Sequence, residues 1–278
     1  MIRVNLHTHS TCSDGAFSPS ELVRLLSLNK VAIAALTDHD TVQGVPTFLA
    51  GCRRRGIRAV SGVELSSRFE NGDELHILGY RFKLEAPALT RALDGFIRTR
   101  EARNAAICSR LQGLGVPVTL ADAEAQAGGG AVGRPHIARA LVDRGCVSTV
   151  QEAFARYLGE GGAAFVPREL LPSEEAVRLI LEAGGLPVWA HPLASLSDPG
   201  ALGPVMDRLK GVGLWGVECW SRGSSSADAL LCMMEAGRRG LYRTAGTDFH
   251  GRAGDATGVA GRLVEDDFLP WARFCGGR

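Results

Sequence analysis

Short apolar runs alternate with helical patterns in the first third of the chain. Residues 2–6 read as a strand, and Ser18-Pro19-Ser20-Glu21 then opens a helix. Ser18 can cap the Glu21 N–H, Glu21 can reach back, and Pro19 fills a first position that needs no donor. Residues 31–36 form a continuous apolar run, the pattern of a strand buried on both faces. A helix is predicted over 42–55 and a further strand over 57–65. Strand, helix, strand, helix, strand predicts parallel pairing and an α/β fold.

The rhythm breaks after Phe82. Residues 86–158 carry mainly helical signals, interrupted by Gly128-Gly129-Gly130, with no convincing strand. The α/β pattern returns near Ser173, expected to cap a helix, and continues with strands over 186–190, 213–218 and 241–245. A mostly helical insertion within an α/β barrel explains the break. The barrel is assigned to 1–85 and 166–278, and a substrate-recognition insertion to 86–165.

Composition narrows the classes. At 278 residues and 45% hydrophobic content the chain can bury a large core as one domain. A formal net charge of +1 gives no global field for nucleic acid or membrane, so any basic patch is local. Lysine occurs only at Lys30, Lys83 and Lys210, so the cationic groups are nearly all arginine, whose fork suits phosphate. The seven cysteines show no CxxC pair and are expected to be reduced, in a cytoplasmic protein. The start is too short and polar for a signal peptide, and no apolar stretch approaches the roughly 20 residues of a membrane span.

The seven histidines carry the chemistry. His7 and His9 end the first predicted strand, where a side-chain period of two points both rings the same way. Asp14 follows in a turn-prone loop. Thr37-Asp38-His39-Asp40 directly follows the buried run, at the strand end where α/β folds place their sites. Glu64 is a carboxylate in an apolar strand, rare unless paired or bound to metal. His76 is flanked by apolar residues. His191 ends another strand, and Asp248 and His250 repeat the two-residue spacing after the last one. Six of the seven histidines thus map to strand termini.

Nine ligands exceed the needs of one tetrahedral ion and predict two or three divalent metals. Mixed imidazole and carboxylate donors suit Mn, Fe or Zn, with Mn the expected ion, better than Mg or Ca. Ions on the order of 3.5–4 Å apart fit in-line displacement at phosphorus, one generating hydroxide while the others neutralise phosphate oxygens. Amide hydrolysis uses similar metals, so the donors alone leave the reaction open. Asp38 and Asp40 are read as partners that orient imidazoles.

These residues resemble the PHP (polymerase and histidinol phosphatase) family. The match runs through His7-Thr-His9, Asp14, Thr37-Asp38-His39-Asp40, Gly62-Val63-Glu64, His76, Ala190-His191-Pro192 and Gly246-Thr247-Asp248-Phe249-His250, in order over nearly the whole chain. The resemblance implies a distorted (β/α)7 barrel with a trinuclear site. It implies that His7, His9, Glu64 and Asp248 hold one metal. Glu64, His76 and His191 would hold a second, and Asp14, His39 and His250 a third. Catalysis would fall to Asp14, His39, His191 and His250.

The chain looks most like the branch of bacterial nucleoside 3′,5′-bisphosphate phosphatases, or RNase AM, which carries a helical insertion. That branch acts on the 3′-phosphate of bisphosphorylated nucleotides, and some members trim RNA from a 5′-monophosphate end. The segments Gly133-Arg134-Pro135-His136-Ile137-Ala138-Arg139 and Phe154-Ala155-Arg156-Tyr157-Leu158 resemble its insertion motifs. Arg134 and His136 are the candidates for the substrate's second phosphate, with Arg168 as a further contact. The expected function is a metal-dependent phosphoesterase on nucleoside 3′,5′-bisphosphates and a 5′-to-3′ exoribonuclease on short RNA. The competing readings are a small-metabolite phosphatase, such as one for histidinol phosphate, and a non-catalytic metal-binding module.

Overall fold

The structure is a computed structural model, and it describes residues 1–221, 223–251 and 258–275. Its strands fall into two sheets. The four-stranded sheet has the order β10 (Arg262–Val264), β1 (Ile2–Asn5), β2 (Ile33–Ala35), β3 (Arg58–Val60). The six-stranded sheet has the order β6 (Leu171–Pro172), β4 (Gly62–Arg68), β5 (Glu74–Tyr80), β7 (Leu186–Trp189), β8 (Gly216–Trp220), β9 (Tyr242–Ala245). Pairing is parallel for β1/β2, β2/β3, β4/β6, β7/β8 and β8/β9, and antiparallel around β5 and at β10/β1.

Main-chain bonds link the sheets at both seams. Leu6 N–H donates to Ala245 O at 3.2 Å and His9 N–H to Phe249 O at 2.9 Å, while Asp40 N–H donates to Glu64 O at 2.9 Å. Followed through these links, the order β1, β2, β4, β5, β7, β8, β9 returns to β1. Residues at the two seams therefore face one another.

The strand expected over 57–65 is two strands in different sheets, interrupted at Ser61. The cause is the close crossing at Gly62, where a Cβ would stand 2.3 Å from Leu36 O. Only glycine lets the chain pass there and change sheets.

Helices α1 (Pro19–Leu28) and α2 (Val45–Arg54) cover the first sheet, with the Ser18/Glu21 capping box in place. Leu22, Val23, Leu26, Phe48 and Cys52 pack there against Leu36. Against β5 lie α7 (Ser173–Glu182) and the short α8 (Pro192–Ser195), and α9 (Leu202–Gly211) packs between α7 and α10 (Ser226–Arg238). Ser173 does not cap α7 as expected. The cap position is Pro172, and Ser173 Oγ instead meets Ser67 Oγ at 2.9 Å.

Between β5 and β6 run α3 (Pro87–Gly113), α4 (Leu120–Ala127), α5 (Arg134–Asp143), α6 (Val150–Ala153) and a π-helical turn, Phe154–Leu158. Among the described residues this stretch holds no strand before Leu171. It packs its own core, with Ile107, Leu111, Val118, Ile137 and Leu141 buried together. The 27-residue α3 reaches both cores: Leu89 and Leu93 sit in the sheet core, Ile107 and Leu111 in the helical one. Its middle spans the gap between them.

Candidate metal centre

Every candidate ligand arrives at one end of the sheets. His7 and His9 follow β1, His39 follows β2, His191 follows β7, and Asp248 and His250 follow β9. His76 departs from the strand-terminus expectation, because it lies inside β5, paired opposite Ser66. As β5 runs antiparallel to its neighbours, a residue near its start lies beside their C-terminal ends. Periodicity could not show this, since an apolar strand reads the same in either direction.

Glu64, fully buried, is the hub. Its Oε2 lies 3.2 Å from His7 Nε2, 3.2 Å from His9 Nε2 and 3.0 Å from His39 Nδ1. Its Oε1 lies 2.9 Å from His76 Nδ1 and 3.2 Å from His191 Nε2. Asp248 Oδ1 approaches His9 Nε2 at 3.0 Å and His7 Nε2 at 3.3 Å. Asp14 Oδ1 stands 3.1 Å from His250 Nε2 and 3.9 Å from His39 Nε2. Donor atoms within 4.8 Å of one another form three groups: His7, His9, Glu64, Asp248; His39, Glu64, His76; and His9, Asp14, His39, His250. His191 adjoins the second through Glu64.

These donors fit metal ions. Buried His7 Nε2, both ring nitrogens of His9, His39 Nδ1, Glu64 Oε2 and Asp248 Oδ1 make no hydrogen bond, although the site crowds them together. Buried polar atoms are normally satisfied, and bound cations would satisfy the ones that converge on the cluster. Electrostatics agree. Burial opposes the charge on Glu64, yet His39, His7 and His76 hold its carboxyl well below the usual range. Burial likewise opposes protonation of His9, but the carboxylates of Asp248 and Glu64 close to its ring push it up to about 10. His76 also rises to about 10, against burial, chiefly through Glu64. The cluster demands positive charge at its centre.

Backbone strain concentrates here. Among the described non-glycine residues with positive φ are Asp40 (54°), His191 (29°) and Asp248 (50°), conformations that cost about 1–3 kcal/mol each.

Asp38 and Asp40 do not orient imidazoles as expected. Asp38 accepts from Ser10 N–H at 2.7 Å, Ser10 Oγ at 2.7 Å and Ser13 Oγ at 2.6 Å, so it fixes the loop that carries Asp14. Asp40 accepts from Ser66 N–H at 3.0 Å, Arg100 at 2.9 Å and Arg168 at 2.5 Å. Its buried charge anchors two guanidinium groups.

Those groups help line a cleft that opens on Asp14, His39 and His76 and also contains Arg103, Asn104, Arg134 and Phe154. Burial, then the neighbouring Arg134 and Arg168, lower the Arg103 guanidinium to about 10, so this wall gathers cations at a cost that an anion would relieve. Arg134 stacks over Phe154 at 5.8 Å, and Arg168 lines the same cleft. His136 is placed differently from its expected role. It is buried, and its Nδ1 accepts from Gly133 N–H at 2.9 Å at the start of α5.

Four residues escaped the sequence reading. Arg100 and Arg103 share one α3 face with Asn104, at a spacing visible as i, i+3, i+4. Glu218 is buried in β8, with its oxygens 3.1 and 3.2 Å from His7 Nδ1. Its signal was present, because Gly216-Val217-Glu218 repeats the pattern of Gly62-Val63-Glu64.

Comparison with known proteins bears on this site. The PHP domain model matches residues 5–122. A 5′-3′ exoribonuclease of Haemophilus influenzae is 36% identical over 89% of this chain and 90% of its own length. A 3′,5′-nucleoside bisphosphate phosphatase of Chromobacterium violaceum is 33% identical over 98% of this chain and 95% of its own. The solved structure of an amidohydrolase from C. violaceum, with bound sulfate and no metal, superposes with a TM-score of 0.87 at 29% identity, covering 99% of this chain and 96% of that one. With relatives this similar along almost their whole length, and a matching domain model over its first strands and ligands, the chain belongs to the PHP domain family.

Proposed function

We propose that this chain is a metal-dependent phosphoesterase that removes the 3′-phosphate of nucleoside 3′,5′-bisphosphates and acts 5′ to 3′ on short RNA bearing a 5′-monophosphate. The observation that carries this reading is the arginine-lined cleft opening directly on the histidine and carboxylate cluster. One end can take a reacting phosphate, and Arg103, Arg134 and Arg168 can take a second. Relatives named as a bisphosphate phosphatase and an exoribonuclease support that substrate class.

His7, His9, Glu64 and Asp248 would hold one ion, Glu64, His76 and His191 a second, and Asp14, His39 and His250 a third. Manganese is the expected metal, with iron or zinc compatible with the same donors. Bound ions supply Lewis acidity, neutralising phosphate oxygens and acidifying water. The chain's own residues bind and orient. Arginine forks grip the second phosphate, and that binding energy fixes the first against the cluster. The negative charge of Glu64, shared among three imidazoles on one oxygen and two on the other, holds the ligand rings together. We place the enzyme in the cytoplasm, a reading that seven free cysteines support.

The test compares turnover of adenosine 3′,5′-bisphosphate with that of histidinol phosphate. The bisphosphate is expected to be preferred, and a clear preference for histidinol phosphate overturns the substrate class. Phosphatase activity unchanged in both Asp14→Ala and His250→Ala would instead remove the catalytic role of the third ion.

A further inference from the structure

We infer that Glu218 is a positioning residue of the metal centre: it fixes the His7 ring in one tautomer and ties His7 to His191, so that ligands of two adjacent metal groups stay in register. The inference rests on the metal-centre reading proposed above and extends it to a residue outside the ligand set.

Glu218 is the third residue of β8 and only 1% exposed. It faces the back of His7, away from the cleft. Its Oε1 and Oε2 lie 3.1 and 3.2 Å from His7 Nδ1. An ionised carboxylate only accepts, so at this contact the ring nitrogen is the donor. When a metal takes Nε2, which stands 3.2 Å from Glu64 Oε2 and 3.3 Å from Asp248 Oδ1, His7 keeps its proton on Nδ1.

Glu218 Oε2 has a second task. It accepts the main-chain N–H of His191 at 3.0 Å, at the residue held at φ 29°, ψ 58°. The ring of His191 is oriented in the same sense. Ser195 Oγ donates to His191 O at 3.1 Å and so accepts from Nδ1 at 3.0 Å, leaving Nε2 towards Glu64 Oε1 at 3.2 Å. Two imidazoles therefore present Nε2 to opposite oxygens of Glu64, and one buried carboxylate behind them touches both residues. A carboxylate on the far nitrogen of a ligating histidine fixes its tautomer and raises its basicity.

The packing has no slack at this pair. A Cβ on Gly246 would stand 2.3 Å from His7 Cβ and 2.7 Å from Glu218 Oε1. With no route to substrate, Glu218 acts only through the two histidines.

Calorimetric titration of the metal-stripped protein with Zn2+ tests this, comparing wild type with Glu218→Gln after circular dichroism has established a native fold. Glutamine keeps the volume and one acceptor oxygen but removes the charge behind His7 and sets an N–H donor within reach of its Nδ1. The variant is expected to bind Zn2+ about 10- to 100-fold more weakly. Unchanged affinity in the variant overturns the inference, whereas a wild type that takes up no Zn2+ overturns the metal-centre reading itself. A second measurement needs no variant. In the zinc-loaded wild type, 15N-resolved NMR of the side chains is expected to show His7 protonated on Nδ1, and protonation on Nε2 overturns the inference.

Discussion

The Arg100 guanidinium donates to Asp40 Oδ2 across 2.9 Å and thereby joins the middle of α3 to the loop that carries His39. Arg168 meets the same oxygen, and Asp40 is fully buried, so one charge holds both arginines in the cleft wall. Removing one partner from a buried ionic group leaves charge uncompensated. Asp40→Asn is expected to lose about 3–5 kcal/mol of stability in urea unfolding. A loss under 1 kcal/mol would show that solvent already screens the pair.

Arg134 lines the cleft from α5, stacked on Phe154. A charge-assisted bond to phosphate contributes about 1.5–3 kcal/mol, so Arg134→Ala should raise KM for adenosine 3′,5′-bisphosphate roughly 10- to 100-fold. Steady-state kinetics on adenosine 3′-phosphate, which lacks the second phosphate, should show little change in KM. Equal effects on both substrates would place Arg134 on the reacting phosphate.

Asp38 holds Ser10 and Ser13 through three bonds of 2.6–2.7 Å, one residue short of Asp14. Asp38→Asn replaces one acceptor oxygen by a donor and frees that loop. The prediction is a fall in kcat of at least about tenfold, an apparent barrier change near 1.4 kcal/mol, with KM little altered. Wild-type kcat in this variant would show that Asp14 is held by other contacts.

The charge balance of the cluster makes the metal-free protein sensitive to pH. His9 and His76 are raised from 6.5 to about 10, so the stability they contribute is fully present below 6.5 and lost as pH climbs towards 10. Asp14, Glu64 and Asp248 are depressed, so their contribution is present in the neutral range and lost in acid. His7 is raised as well, and only His39, lowered by burial, works against these three. Melting temperature of the stripped protein should therefore fall from pH 6.5 to pH 9, and metal loading should flatten that fall because ions replace the protons. A melting temperature that rises across this window contradicts the charge balance described.

Much of the site was legible because its chemistry is written in residue type and spacing. His-x-His at 7 and 9, the Asp and His of 37–40 and Asp-x-His at 248 and 250 each follow a β-rich run, and the fold gathers them. What escaped was direction and partnership. The chain crosses between sheets at Gly62, and β5 runs backwards, because of close backbone approach and register that no local pattern encodes. Asp38 and Asp40 looked like imidazole partners by proximity in sequence, yet three-dimensional neighbours 25 or more residues away claimed their oxygens. His136 resembled a phosphate ligand by motif, and the start of α5 took its Nδ1. Arg100 and Arg103 lie in no motif, and only a helix that reaches both cores brings them to the cleft.

On this reading one cluster binds several ions beside a phosphate cleft. Anomalous diffraction from crystals soaked with Mn2+ and inorganic phosphate tests it most directly. Two or three peaks are expected, bounded by His7, His9, Asp14, His39, Glu64, His76, His191, Asp248 and His250, with phosphate density between them and Arg134. Fully soaked crystals with no anomalous peak among these residues, or one ion bound elsewhere, would contradict it.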